Sequence, residues 1–68
     1  MTIAGQVKQT IASLKGTQAT LESFASIEKD PEAKAVYSRN SRLIADVVRD
    51  MEKRLGVLEF EEPQYKGF

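Results

Sequence analysis

The tripeptide Asp30-Pro31-Glu32 divides the 68-residue chain into two helical segments. Asp30 is a favoured residue for capping a helix N-terminus, proline is favoured at the first helical position, and an acidic residue in the first turn interacts well with the helix dipole. One helical pattern precedes this tripeptide and another follows it. The chain is therefore predicted to turn at 28–30 and to continue as a new helix from Pro31.

Thr2 and Gly56 mark the outer ends of the two predicted helices. Thr2 is predicted to be the N-cap of the first helix, which runs over about 2–27. Gly56 follows two basic residues, an order that is typical of helix C-termini. The second helix is therefore predicted over about 31–56.

Apolar residues recur along both segments at a spacing of seven, which is close to two turns of an α-helix. Neither segment alternates with the period of a β-strand, so the fold class is predicted to be all-α. The apolar stripes are predicted to form the core of the fold or an oligomer interface. Their members are Ile3, Val7, Ile11, Leu14, Leu21, Phe24, Tyr37, Ile44, Val47, Met51, Leu55 and Leu58.

A connection of three residues forces the two helices to lie antiparallel and adjacent, so that residues whose numbers total roughly 58 face each other. Residues 1–58 are thus predicted to form one antiparallel two-helix hairpin. Two helices cannot enclose a core between them, and so short a chain buries little surface to offset its entropy cost. Homo-oligomerisation into a four-helix bundle is the expected remedy.

Uncharged polar residues interrupt both stripes at matching heights of the predicted hairpin. In that register Thr17 and Gln18 face Asn40 and Ser41. One interpretation is a buried polar layer that fixes the helix register and the oligomeric state at a cost in stability. The other is that Gln18 and Asn40 lie at the edges of the stripes and face solvent.

The first helix carries a stripe of small residues on the face away from Leu14. Small residues let helix backbones approach closely, and a glycine inside a helix costs about 1 kcal/mol relative to alanine, which favours a packing role. The alternative is a set of ordinary exposed small residues. The stripe consists of Gly5, Ala12, Gly16, Ala19, Ser23 and Ser26.

Residues 59–68 are predicted to form an acidic and aromatic tail, because Pro63 prevents a helix from continuing through it. Phe60, Tyr65 and Phe68 are candidate anchors for docking to a partner. Alternatively, Phe60 and Tyr65 fold back and cover the open end of the bundle.

The composition excludes several classes of function. The chain has 10 basic and 10 acidic side chains and no cysteine or histidine. A thiolate nucleophile, a Ser-His-Asp triad and a zinc site are therefore excluded, and we expect no enzymatic activity, no cofactor and no small-molecule substrate. Acidic residues interleave with the basic ones, which argues against nucleic-acid binding. The sequence shows no signal peptide and no run of about 18 apolar residues, so a cytoplasmic location is expected.

Two stretches of the sequence resemble a known family. The opening, with Gln6-Val7-Lys8-Gln9-Thr10 and Ala12-Ser13-Leu14-Lys15-Gly16, and the ending Glu61-Glu62-Pro63-Gln64-Tyr65-Lys66-Gly67-Phe68 are similar to domain-of-unknown-function family 1657. The resemblance implies a short protein of endospore-forming Bacillus-like bacteria that is associated with sporulation, and hence a location in the forespore or spore. Some members are encoded beside spore-membrane channel components, and the module also occurs attached to membrane proteins. The family assigns no catalytic residues.

The sequence leaves two main functional hypotheses open. In the first, the chain is a non-enzymatic structural or interaction protein of the spore whose partner is itself. In the second, it is an adaptor that binds a membrane-associated spore protein through the first helix or the C-terminal tail. A weaker hypothesis, direct binding of the first helix to a membrane surface, has little electrostatic support because that helix carries few charges.

Overall fold

Two helices joined by a short turn make up the fold. The structure, a computed structural model, describes residues 2–61 of the chain. Helix α1 spans Ile3–Ile27 and helix α2 spans Pro31–Glu61. They pack against each other along their length, and no strand occurs within residues 2–61. The prediction of an all-α chain with two helices is confirmed.

Local capping bonds begin both helices at the predicted residues. The backbone N–H of Gly5 donates to Thr2 Oγ1 at 3.0 Å. The backbone N–H of Ala33 donates to the Asp30 carboxylate at 2.9 Å. In the turn itself, the Glu28 carboxylate accepts hydrogen bonds from the next two backbone N–H groups, each at 3.2 Å. These carboxylates satisfy N–H groups that would otherwise lack partners, so three residues suffice to reverse the chain.

Helix α2 continues five residues beyond Gly56, so the predicted end at residue 56 is too early. Gly56 does not adopt the left-handed conformation of a C-cap, because none of the described glycines has a positive φ. Contacts with α1 extend past it: Leu58 is half-buried, and Glu59 forms an ion pair with Lys8 at 2.9 Å. Residues 59–61 of the predicted tail are therefore helical, and 62–68 lie outside the described residues.

The hairpin is only one helix thick. Its Cα atoms extend over 52 × 16 × 11 Å, which is two helices wide and one helix deep. Its accessible surface is 5035 Å², against about 4,300 Å² for a compact monomer of the same mass. No side chain in the described part of the chain is less than 2% exposed. A single hairpin thus lacks the enclosed interior of an independent domain.

Candidate functional site

The seam between the helices is formed by one line of residues on each helix, and most of them are small. On each helix the buried members recur at a spacing of seven or fourteen, so they lie one above another along the axis. Small side chains on both helices let the backbones approach closely along this line. The buried members are Ala4, Ile11 and Ala25 on α1 and Ser41 and Val48 on α2.

Of the predicted apolar residues, Ile11 lies in the seam, whereas the two lines that repeat every seven residues through Leu14 and Ile44 lie beside the seam rather than at its centre. They stand about 60° around each helix from the buried line, and all of them are half-buried. A second repeat of seven, which passes through alanine and serine, identifies the true seam, but it is less apolar than the line of large residues. The half-buried members are Val7, Leu14 and Leu21 on α1 and Tyr37, Ile44, Met51 and Leu58 on α2.

Two ion pairs between the helices cover one side of the seam. Lys8 Nζ lies 2.9 Å from Glu59 Oε2, and Lys15 Nζ lies 3.0 Å from Glu52 Oε2. The side chains are 34–57% exposed, so each pair contributes only about 0.2–1 kcal/mol. We call this side, defined by these four residues, the ion-paired face.

For each contact across the seam, the two residue numbers add up to more than the predicted sum of roughly 58. The rings of Phe24 and Tyr37 meet edge to face with centroids 5.5 Å apart, and their residue numbers add up to 61. The residue numbers in each of the two ion pairs add up to 67. Helical side chains lean toward the helix N-terminus. A side chain of α1 therefore leans away from the turn and one of α2 leans toward it, so contacting pairs are displaced from residues at equal height.

The opposite side of the seam is apolar and uncovered. On α2, Glu52 and Met51 stand about 40° and 60° from Val48 in opposite directions, so the line of Met51 and Tyr37 opens away from the ion-paired face. Within residues 2–61 no ion pair joins the two helices on this side. We call it the open apolar face: the seven half-buried residues above together with the exposed residues Ile3, Phe24, Val36, Leu43, Val47 and Val57.

Three residues of the predicted core or interface are exposed on this face. Ile3 is 62%, Phe24 45% and Val47 46% exposed, so within one hairpin they are not core. Sequence reasoning missed three further members, Val36, Leu43 and Val57. Each directly precedes a residue of the line of large apolar residues on α2 and looks like an interruption of the polar surface. Their shared spacing of seven or fourteen was the available signal.

The open apolar face is wider on α2 than on α1. Val47 stands about 60° beyond Ile44 around α2, and Leu43 about 100° beyond it. We call the exposed residues Val36, Leu43, Val47 and Val57 the α2 flank. The corresponding strip of α1 is largely polar: the hydroxyls of its threonines donate to backbone carbonyls four residues earlier.

A family match covers most of the hairpin. The family model described as "Protein of unknown function (DUF1657)" matches residues 7–55. The chain belongs to this family. The match includes the turn and the central part of both helices, whereas the ending at 61–68 lies outside it. No curated protein and no solved structure matches the DUF1657 chain.

The four residues of the predicted polar layer lie near the middle of this DUF1657 hairpin but in different environments. Ser41 is 4% exposed in the seam, Gln18 and Asn40 are half-buried, and Thr17 is exposed. Asn40 Nδ2 donates to the Val36 carbonyl at 2.9 Å, and Thr17 Oγ1 donates to the Ser13 carbonyl at 3.1 Å. Among the described residues no hydrogen bond joins the four across the helices, so they do not form one network within a hairpin.

The remaining surface of the described DUF1657 hairpin has a groove near the turn but no candidate metal site. A groove of about 340 Å³ near the turn is lined by Glu22, Lys34, Ser41 and Arg42, among others. From residue 2 to residue 61, no group of three or more metal-ligating side chains occurs. Neither helix, over the same range, is long and apolar enough to cross a membrane.

Gly16 of the small-residue stripe and Phe60 lie outside the packed part of the hairpin. A Cβ on Gly16 would meet nothing within 4 Å, so nothing in the hairpin packs against the centre of the stripe. Phe60 is 83% exposed on the last turn of α2 and does not cover the end of the hairpin, contrary to the fold-back interpretation. Tyr65 and Phe68, the other two candidate anchors, lie outside the described residues.

Proposed function

We propose that this chain is a non-enzymatic, self-associating structural protein whose hairpins pair through the open apolar face, completing a four-helix bundle. One observation carries the proposal: large apolar side chains stay half-buried or exposed along one whole side of a hairpin that is one helix thick. Covering that side with a second hairpin would convert it into the interior of a bundle. Burial of apolar area would then supply the stability that a single hairpin lacks.

The size of the face suits a stable dimer. The hairpin measures 52 × 16 Å in its own plane, a footprint of about 830 Å². A standard protein interface buries about 800 Å² on each partner. The largest apolar patch of a typical monomer is about 300–600 Å², so an apolar face that runs the length of this hairpin favours an occupied interface.

A second copy of the chain is the occupant that the charges favour. Ten acidic and ten basic residues give no net charge, and the two ion pairs between the helices lie on the other face. Asp50 and Arg54, which border this face on α2, are of opposite sign, so the face offers a charged partner little to recognise, whereas two identical apolar faces are complementary to each other. We place this assembly in the cytoplasm of the forespore or in the spore, which rests only on the resemblance of the chain ends described above.

Solution mass tests the proposal. Light scattering on a sizing column should give a discrete dimer for the full chain and for a chain ending at Glu61, which keeps the whole of α2. The mass should not depend on salt, because apolar burial rather than ion pairing holds the copies together. A helical monomer at micromolar concentration would overturn the proposal. A dimer of the full chain that becomes monomeric at Glu61 would shift the interface to the tail.

An adaptor function is the second candidate, and the exposure of Phe60 favours it. An aromatic ring that is 83% exposed on the last turn of α2 is a suitable anchor for a partner. In this hypothesis the partner is a membrane-associated spore protein. Replacement of Phe60 by alanine should then weaken capture of that partner and leave the mass of the dimer unchanged.

A further inference from the structure

The valines in the stripe of residues along the outer side of α2 are placed symmetrically, whereas its leucine and its polar residues do not repeat on reversal. Its positions are separated by alternating steps of four and three residues, so they follow one side of the helix. Valines stand at both ends and at the centre, and reversing the stripe superposes them. In order, the stripe consists of Val36, Asn40, Leu43, Val47, Asp50, Arg54 and Val57.

The centre of this stripe is also the centre of the helix. Helix α2 spans Pro31–Glu61, so its midpoint is residue 46, next to Val47. An antiparallel copy of α2 centred on Val47 would overlap it over nearly its full length. Val36 of one copy would then lie at the height of Val57 of the other, and the two Val47 side chains would meet.

We propose that two chains associate with their α2 helices antiparallel and in contact, with the two-fold axis at Val47. This inference deepens the proposed function and rests on it, since it states how two open apolar faces meet. The interface is isologous: each contact occurs twice, related by the axis, except at Val47, which meets its own copy. The arrangement closes after two copies and leaves no open apolar edge on α2.

The alternative pairing, α2 of one copy against α1 of the other, fits the surfaces less well. The outer strip of α1 presents Thr10, Thr17 and Thr20, whose hydroxyls bond to their own backbone. Against that strip, Leu43 and Val47, which are 55% and 46% exposed, would face polar atoms. Against a second α2 in this register, Val47 meets its own copy, and Leu43 lies beside it at the height of Asp50 and Met51 of the other helix.

The polar members of the stripe are compatible with the same register. Asn40 donates its Nδ2 to the Val36 carbonyl, so its Oδ1 remains an acceptor. In the antiparallel register Arg54 of the second copy lies at the height of Asn40 and can donate to that oxygen. Asp50 lies seven residues after Leu43, on the same side of α2, and Arg54, four residues further on, can pair with its carboxylate. The Asn40 pair would occur twice, once on each side of Val47, which helps to fix the register.

Cysteine cross-linking tests this geometry directly, because the parent chain has no cysteine. Val47→Cys should form a disulfide-linked dimer on mild oxidation at least ten times faster than Ala12→Cys, an exposed position of α1 away from this face. Val36→Cys alone should not link, because the two copies of residue 36 would lie about 33 Å apart along the helix axis. A mixture of Val36→Cys with Val57→Cys should link to each other.

The solution mass of each reduced variant is first measured by light scattering. This measurement separates the proposal of self-association from the proposal of antiparallel α2 helices. If the chain is a dimer but Val47→Cys links no faster than Ala12→Cys, the two-fold at Val47 is wrong and self-association stands. If Val36→Cys links to itself, the two α2 helices are parallel, which also overturns the geometry. If the parent chain is a monomer, the self-association proposal fails as well.

Discussion

The two faces of this hairpin are made from the same two helices but differ in what covers them. On the ion-paired face, lysines of α1 reach glutamates of α2 at 2.9 and 3.0 Å, so charged side chains join the two helices. On the open apolar face no long charged side chain spans the helices within residues 2–61, and Leu43 and Val47 remain about half exposed. One face is closed by the chain itself, whereas the other is complete only when another molecule covers it.

The difference shows where stability should reside. Exposed ion pairs contribute little, because water screens them and long side chains lose entropy when they are ordered. An apolar face contributes about 25 cal/mol for each Å² that is covered. Substitutions on the open apolar face should therefore have large effects that depend on protein concentration, and those on the ion-paired face should have small effects that depend on salt.

The largest effect is expected from Val47→Glu. In an isolated hairpin Val47 is 46% exposed, so this change should be tolerated within about 0.5 kcal/mol. In the proposed dimer it brings two carboxylates together at the axis, which should raise the dissociation constant at least 100-fold, or about 2.7 kcal/mol. Sedimentation equilibrium measures the change.

Ala12→Glu is the matched control for Val47→Glu. Ala12 is an exposed helical position on the small-residue stripe of α1, and the new carboxylate would lie near Lys8 and Lys15 along the helix. The solution mass of the Ala12→Glu variant should equal that of the parent chain. If Ala12→Glu dissociates the dimer and Val47→Glu does not, then the small-residue stripe, not the open apolar face, is the interface.

The next largest effect, an increase in stability, is expected from substitution of the polar residues near the middle of the hairpin. Replacing both Gln18 and Asn40, which are half-buried, by leucine should raise the stability by about 1–2 kcal/mol. That gain corresponds to an increase of roughly 4–16 °C in the melting temperature of a chain of this size. If the two polar residues fix the register, the double variant should also show a broader range of oligomers by native mass spectrometry. No change in either quantity would eliminate the polar-layer hypothesis.

The boundaries near the turn and at Thr2 were predictable because they depend on neighbouring residues. The Asp30 carboxylate bonds to the N–H of Ala33, and Thr2 bonds to that of Gly5, so both caps are determined within four residues. The end of α2 was not predictable in this way. Gly56 is a local stop signal, but packing of Leu58 and the ion pair of Glu59 with α1 outweigh its cost of about 1 kcal/mol.

The candidate site was predictable as a set of apolar residues but not as a face. The repeat of large residues identified Leu14 and Ile44, yet the residues buried between the helices include Ala25 and Ser41. Helices approach most closely where side chains are small, and hydrophobicity alone does not identify such positions. To predict which apolar residues remain uncovered, one therefore needs the positions of both helices.

A comparable gain in stability, from a single substitution, is expected from Ser41→Ala in the seam. Ser41 is 4% exposed, and its hydroxyl makes no hydrogen bond with any of the residues from 2 to 61. Removing an unsatisfied buried hydroxyl should increase the free energy of unfolding by about 1–2 kcal/mol, including the better helix propensity of alanine. Ser13→Ala, at an exposed site on α1, should gain only about 0.5 kcal/mol from propensity. If the two variants gain equally, or if Ser41→Ala is destabilising, the hydroxyl has a partner in the assembled protein.

The smallest effect is expected on the ion-paired face. A double-mutant cycle with Lys15→Gln and Glu52→Gln should give a coupling energy below about 0.5 kcal/mol, because the side chains are 57% and 47% exposed. The coupling should disappear in 1 M salt, where the Debye length is about 3 Å. A coupling that exceeds 1 kcal/mol and persists in salt would mean that this face is also buried in the assembly, since a second protein layer would exclude the water that screens the pair. The two faces would then both be interfaces, and the chain would build an open array of hairpins rather than a closed dimer.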